Sequence, residues 1–245
     1  MQLHIGTSGY GYRQWKGKFY PEKISPHDML RFYAGRLGAV EINNTFYHMP
    51  TANVLTSWNQ QVPIDFIFAF KAPQVITHRK RLKDAESEMQ YLFRTLSVLH
   101  QKLGPVLFQL PANFHADPEG LDHFLTLIPG GTPCAFEFRS SSWLTKQTEK
   151  RLGDRNCSLC VADMDEHPAG DIVGTATWGY LRLRRSDYTD ADLTLWLKKI
   201  RLQKWKEAFV FFKHEDRAKG PELAMRFGKL ANAGPDNRQD HYAAK

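Results

Sequence analysis

Val40-Glu-Ile-Asn-Asn-Thr-Phe-Tyr-His-Met-Pro50 joins a short apolar strand, with Glu41 and Asn43 on one face, to an aromatic loop that carries a histidine. Alternate residues of a strand point to opposite sides, so the two polar groups share a side. Polar side chains within an apolar strand are unfavourable unless they are paired or used. The stretch therefore predicts a strand that ends at a site. The pattern returns along the chain. Lys71 closes an apolar run over residues 64–70, Gln109 interrupts 105–110, and Glu137 and Arg139 share a face at the end of 134–138. Asp163 follows 158–162, Arg182 and Arg184 share a face in 175–184, and Lys213 follows 208–212.

With residues 1–8 and 39–42 these runs make eight strands, and helical patterns fall between them. Ser25 with Pro26, Thr51, Asp117 with Pro118, and Thr189 with Asp190 are start signals for helices. Further helices are expected over 84–102, 142–152 and 221–230, while 164–174 has little helical periodicity and predicts an irregular sixth crossover. The alternation predicts an α/β fold, a single-domain TIM-type (β/α)8 barrel over residues 1–230, with a polar, flexible tail over 231–245. A doubly wound open sheet is the competitor. It gathers ligand groups mainly at one switch point, whereas a closed barrel gathers them from every strand end, as the polar residues do here.

The chain has 245 residues, 42% of them hydrophobic, enough to bury a substantial core. Its formal net charge of +7 favours anionic partners: a small anionic ligand first, nucleic acid as the alternative. No apolar stretch approaches the roughly 20 residues of a membrane span, and no secretory leader pattern precedes the first strand. Cys134, Cys157 and Cys160 are too few for a disulfide framework and fit reduced thiols in a cytoplasmic protein. Cys157 and Cys160 have redox-like spacing, but lie within or beside a strand and read as buried thiols away from the barrel mouth.

Gly6-Thr-Ser-Gly-Tyr10, Trp15-Lys-Gly-Lys-Phe-Tyr-Pro21, Val40 to Tyr47, Phe70-Lys71, Ile76-Thr-His78, Leu103-Gly-Pro105, Gln109-Leu-Pro111, Glu137-Phe-Arg139 and Ser142-Trp143 together resemble the YecE-like family, domain of unknown function 72. The match runs in order from Gly6 to about residue 230. The resemblance implies a TIM-type barrel and carries no assigned activity. Many members resemble Phe-Asn-Asn after the eighth strand, where this chain reads Phe212-Lys-His-Glu-Asp216.

Glu41, Glu137 and Asp163 are the candidate catalytic carboxylates. Arg139 beside Glu137 favours its ionised form, an orienter or base. Glu41, nearer neutral and aromatic neighbours, is the candidate general acid with a raised pKa. Thr7, Asn43, Tyr47, Lys71, His78, Gln109, Arg139, Arg182 and Lys213 are candidate binding residues, the cations for a phosphate or carboxylate. The turn at residues 6–11 is glycine-rich, but has neither dinucleotide-loop nor P-loop spacing. A divalent metal would draw on His78, His214, Glu41, Glu137 and Asp163; no metal-binding spacing supports it, and no cofactor is favoured. An enzyme acting by acid–base chemistry on a small anion accounts for these groups best. The alternatives are a nucleic-acid-binding protein or metal-dependent nuclease using the basic and aromatic loops 10–23 and 71–83, and a non-catalytic ligand- or protein-binding barrel.

Overall fold

The computed structural model describes residues 1–213 and 218–233. Nine strands, all parallel, form one sheet: β1 (Gln2–Ser8), β2 (Ala39–Ile42), β3 (Ile67–Lys71), β4 (Leu103–Leu110), β5 (Cys134–Phe138), β6 (Ser158–Leu159), β7 (Val161–Asp163), β8 (Trp178–Leu183) and β9 (Glu207–Phe212). Their order is β6-β5-β4-β3-β2-β1-β9-β8-β7. The two edge strands are consecutive in the chain with only Cys160 between them, so the sheet curls round on itself as a nearly closed barrel. The expected sixth strand over 158–162 is thus broken in two. Its first half pairs with β5, its second with β8, and the Cys160 amide still donates to the Phe136 carbonyl at 2.8 Å.

Helices α1 (Met29–Ala34), α2 (Ala52–Gln61), α3 (Glu86–Leu96), α4 (Pro118–Thr126), α5 (Lys146–Asp154), α6 (Asp190–Arg201) and α7 (Lys219–Asn232) lie between strands. Their starts follow from local chemistry. The side chains of Thr51, Asp117, Thr145 and Thr189 each accept an amide from the first turn, and Thr189 with Asp192 completes a capping box. Ser25 does not start α1: it bonds Asp28 in a turn, and the helix begins three residues beyond Pro26. Residues 64–66 form a turn rather than the start of β3, with the Phe66 amide on the Pro63 carbonyl and Ile64 exposed. The expected helix over 84–102 stops at Leu96 and gives way to a tighter 3-10 stretch kinked at His100. Residues 164–174 contain no helix, as their lack of periodicity predicts. α7 extends two residues past the expected start of the tail, and residues 234–245 lie outside the described set.

Two cores result from the alternation of side chains. Val40, Phe68, Phe108, Phe136, Leu181 and Val210 face outward into the layer shared with the helices. Ala39, Ala69 and Ala135 face the barrel interior from one wall, and Trp178, Tyr180, Phe209 and Phe211 fill the space from the wall opposite. Small residues on one side let large rings cross from the other, giving a packed apolar floor. The rings of the loop after β1 also belong to the core: Trp15, Phe19 and Tyr20 are buried and pack edge to face, and the Tyr20 hydroxyl donates to the Tyr10 carbonyl.

Gly6 is a packing requirement of the β1–β2 seam. A methyl group there would lie 1.8 Å from the Ala39 carbonyl oxygen. Gly6→Ala is expected to lower the unfolding free energy in urea by more than about 2 kcal/mol; a loss under about 0.5 kcal/mol would contradict this close approach.

Candidate functional site

Above the apolar floor, at the carboxyl ends of the strands, the interior turns polar. Arg182 of β8 is fully buried and spans the barrel: its Nη2 donates to Glu41 Oε1 at 2.7 Å and its Nη1 to Glu137 Oε2 at 2.6 Å. Glu41 is satisfied on both oxygens. Ser8 Oγ (2.7 Å) and Asn43 Nδ2 (3.0 Å) donate to Oε1, and the Tyr180 hydroxyl (2.8 Å) donates to Oε2. Glu137 Oε1 accepts Gln109 Nε2 at 2.6 Å and Arg139 Nε at 3.4 Å. The amide of Gln109 is therefore oriented with its oxygen outward, where it accepts Lys71 Nζ at 2.8 Å. One chain of bonds runs from Ser8 through Glu41, Arg182, Glu137 and Gln109 to Lys71.

Burial pushes both carboxyls up, but the guanidiniums of Arg182 and Arg184 and the bonds from Arg182 outweigh it, holding Glu41 and Glu137 down at about 2. This corrects the expectation for Glu41. Its pKa is lowered, not raised, so it is an ionised partner of Arg182 and no general acid. The ionised state expected for Glu137 is borne out, with Arg182 contributing more than Arg139.

Lys71 differs from its neighbours. Among the described residues it makes no ion pair: a neutral amide holds its ammonium, which lies 3.9 Å from the centre of the Phe46 ring. Burial and the Arg182 guanidinium lower its pKa to about 8. His78 stands edge-on to the same Phe46 ring at 4.9 Å, its Nδ1 2.9 Å from Thr77 Oγ1; burial, Lys71 and Arg139 lower its pKa. Among the described residues around the mouth, the cations Lys71, Arg139, Arg182 and Arg184 outnumber the carboxylates Glu41 and Glu137.

Other expected members fall elsewhere. Asp163 pairs in register with Leu183, which faces the helix layer, and it points outward: the Tyr188 hydroxyl donates to Oδ2 (2.8 Å), the Ala169 amide to Oδ1 (2.9 Å), and Arg185 lies 3.3 Å away. Thr7 also faces outward, bonded to the Tyr33 hydroxyl and the Gly9 carbonyl. Tyr47 is 67% exposed and packs on Phe46, and Lys213 is exposed at the end of β9. Ser8, Phe46 and Tyr180 belong to the cluster and were not anticipated. Ser8 and Tyr180 share the two-residue period with Gly6 and Arg182, the one signal that could have found them. The metal set is not brought together: Glu41 and Glu137 clasp Arg182, Asp163 faces away, and His214 lies outside the described residues. Among the described residues no three His, Cys, Asp or Glu side chains converge as metal ligands. In the basic loop Lys80 pairs with Glu88 and Lys83 with Asp117, leaving Arg79 and Arg81 exposed.

A cavity of about 750 Å³ adjoins the cluster, between β5, α5 and residues 164–173, with Glu137, Arg139 and Cys160 in its wall. Cys160 is buried, as expected, but it borders this cavity instead of lying remote from the mouth. A second cavity of about 760 Å³ opens at the opposite end of the barrel, around residues 1–5 and α7, away from the polar cluster.

The sequence model of the family described as "Protein of unknown function DUF72" matches residues 4–244. The chain belongs to the DUF72 family. UPF0759 protein YecE of Escherichia coli is 32% identical over 127 residues, 51% of this chain and 47% of that protein. UPF0759 protein YunF of Bacillus subtilis is 31% identical over 151 residues, 58% and 52% of the respective chains. The match spans about half the length of these relatives. Among solved structures, a DUF72 protein from Thermotoga maritima superposes with a TM-score of 0.83 at 25% identity, covering 95% of this chain and 100% of that one. One from Enterococcus faecalis gives 0.76 at 19% identity, covering 96% and 97%. Among the described residues of this DUF72 chain, no helix is long and apolar enough to cross a membrane.

Because Glu41 and Glu137 titrate near 4.5 in an unfolded chain and about 2 when folded, they stabilise the fold above pH 4.5, and that contribution fades as pH falls toward 2. Arg182→Met leaves two buried carboxylates without their shared cation. It is expected to lose about 3–5 kcal/mol at neutral pH and to lack the parent's acid-labile limb in urea titrations. A variant as stable as its parent would remove the clamp from this account.

Proposed function

We propose that this DUF72 protein is an enzyme that binds a small anionic substrate, a carboxylate or phosphate ester, at the carboxyl-terminal mouth of the barrel and acts on it by acid–base chemistry. Lys71 is the proton-transferring group, Arg139 the anion anchor, and the Glu41–Arg182–Glu137 clamp the frame that positions both. The observation that carries this reading is the environment of Lys71. An ammonium held by an amide and a ring, beside guanidiniums and with no carboxylate paired to it, gives up its proton near pH 8. An amine poised there moves protons at working pH, which neither clamped carboxylate does. The excess of cations at the mouth supplies the attraction for a negative substrate, and Arg139, 44% exposed on its side chain, has its forked end available for it. The nucleic-acid alternative rests on Arg79 and Arg81 with Arg13, Lys18 and Lys23 of the first loop, since Lys80 and Lys83 are in ion pairs and Trp15, Phe19 and Tyr20 are packed away.

Native mass spectrometry of the purified protein is expected to show a retained anionic small molecule that Arg139→Ala releases. In parallel, reductive ¹³C-methylation followed by NMR titration is expected to place Lys71 near 8. A Lys71 that titrates with ordinary lysines, in a protein that comes away bare, would overturn the assignment.

A further inference from the structure

The cavity at the barrel seam shares Arg139 and Glu137 with the site above, and the rest of its wall has no role there. It exists because the chain does two unusual things in succession: the sixth strand splits at Cys160, and the crossover that follows has no helix of its own to pack beside α5. Residues 164–173 arch over the gap instead. The arch is tied down at three points. The Ala169 amide donates to Asp163 Oδ1 (2.9 Å), the Ser186 amide to Asp165 Oδ2 (2.9 Å), and Lys199 Nζ to the Gly170 carbonyl (3.2 Å). The space is preformed, and about 750 Å³ is the size of a small-molecule site.

Its walls differ in chemistry from end to end. The end beside Glu137 carries Arg139, half-exposed, whose guanidinium meets Glu137 only through Nε. The middle is apolar: Phe138 and Trp143 stack at 4.8 Å with an angle of 11°, and Val161, Leu159 and Met164 face them. Trp143 is buried behind Phe138, its indole fixed by its bond to the Phe114 carbonyl at 2.8 Å, so it backs the Phe138 ring as a rigid support. The outer rim has Glu149, Glu166 and Asp171. A ligand carrying several negative charges would meet those carboxylates, whereas a single negative charge held at Arg139 would not.

We propose that the seam cavity binds a monoanionic carboxylate with a flat apolar body, its carboxylate forked on Arg139 and its body along Phe138, Val161 and Met164. This deepens the function proposed above by naming the substrate class, and it rests on that reading only in using Arg139 as the anion anchor.

The test uses 3-phenylpropionate, its neutral amide 3-phenylpropanamide, and phenyl phosphate as probes, followed by calorimetry and saturation-transfer NMR on the whole protein. Phenylpropionate is expected to bind at least about tenfold more tightly than the amide, and more tightly than the phosphate. Arg139→Gln is expected to erase the preference for acid over amide. Leu144→Asp alters a wall position that is 60% exposed and tolerant of change. It is expected to weaken the acid more than the amide, and Val161→Trp, which narrows the cavity at its apolar wall, to weaken both. Equal binding of acid and amide, tighter binding of the phosphate, or indifference to Val161→Trp would each overturn the proposal, as would no binding by any probe. Probe binding is read without turnover and should survive Lys71→Met. An ordinary titration of Lys71 would therefore sink the acid–base assignment alone, and failure of the probes would sink the seam site alone.

Discussion

Arg182 is the constraint on which the polar end of the barrel depends. Its two terminal nitrogens reach Glu41 on β2 and Glu137 on β5, so one side chain ties three strands across the interior. The apolar floor of Tyr180, Phe211 and the alanines beneath it keeps water away from one side of the clamp. Without water, either carboxylate alone would be strongly disfavoured, and the cation alone equally so. The three are stable only together. Ser8 and Asn43 add bonds to the Glu41 oxygen that Arg182 holds, and the Tyr180 hydroxyl and Gln109 take the second oxygens of Glu41 and Glu137, so both carboxylates are bonded on both oxygens.

The clamp also divides the labour at the mouth. A carboxylate bonded to a guanidinium at this depth stays ionised at any ordinary pH, so it shapes and orients without trading protons. What it leaves behind is a positive remainder: Arg139 at the edge, Arg184 above, and Lys71 at the far end of the Gln109 amide. Lys71 is destabilised as a cation by burial and by the Arg182 guanidinium, more than Glu137, Glu41, the ring of Phe46 and one neutral oxygen stabilise it. The frame therefore sets the proton affinity of the group beside it through both charge and geometry.

The strand faces were legible in the sequence because alternation is a local property. Glu41, Glu137, Arg139 and Arg182 could be placed inward from their own neighbours, and so could the eightfold alternation of strand and helix. What depended on distant partners was not. The cation that lowers Glu41 comes from a residue 141 positions away, so the polar and aromatic residues adjacent in sequence pointed to the wrong shift. The parity of β1 was ambiguous across Gly6-Thr7-Ser8, where small residues suit either face. The bond from the Thr7 amide to the Tyr33 hydroxyl goes with Thr7 facing out and Ser8 facing in. Asp163 looked like another strand end at the mouth, but the break at Cys160 and the pairing with Leu183 direct it toward the arch. Its role there is to hold the arch through Ala169, while the Tyr188 hydroxyl takes its other oxygen.

The mouth and the seam are coupled by Arg139, which borders both. On the proposal that an anion settles against this guanidinium, two consequences follow from electrostatics alone. The anion neutralises one of the cations that depress His78, and its own negative charge at the mouth favours the Lys71 ammonium, so the proton affinity of both rises on binding. Binding would then draw a proton onto Lys71 when the solution is near pH 8, and loss of the anion would release it. An acid–base group whose charge follows the occupancy of its own site is loaded by substrate arrival. Neither clamped carboxylate could respond in this way, because Arg182 already holds each of them at its ionised limit.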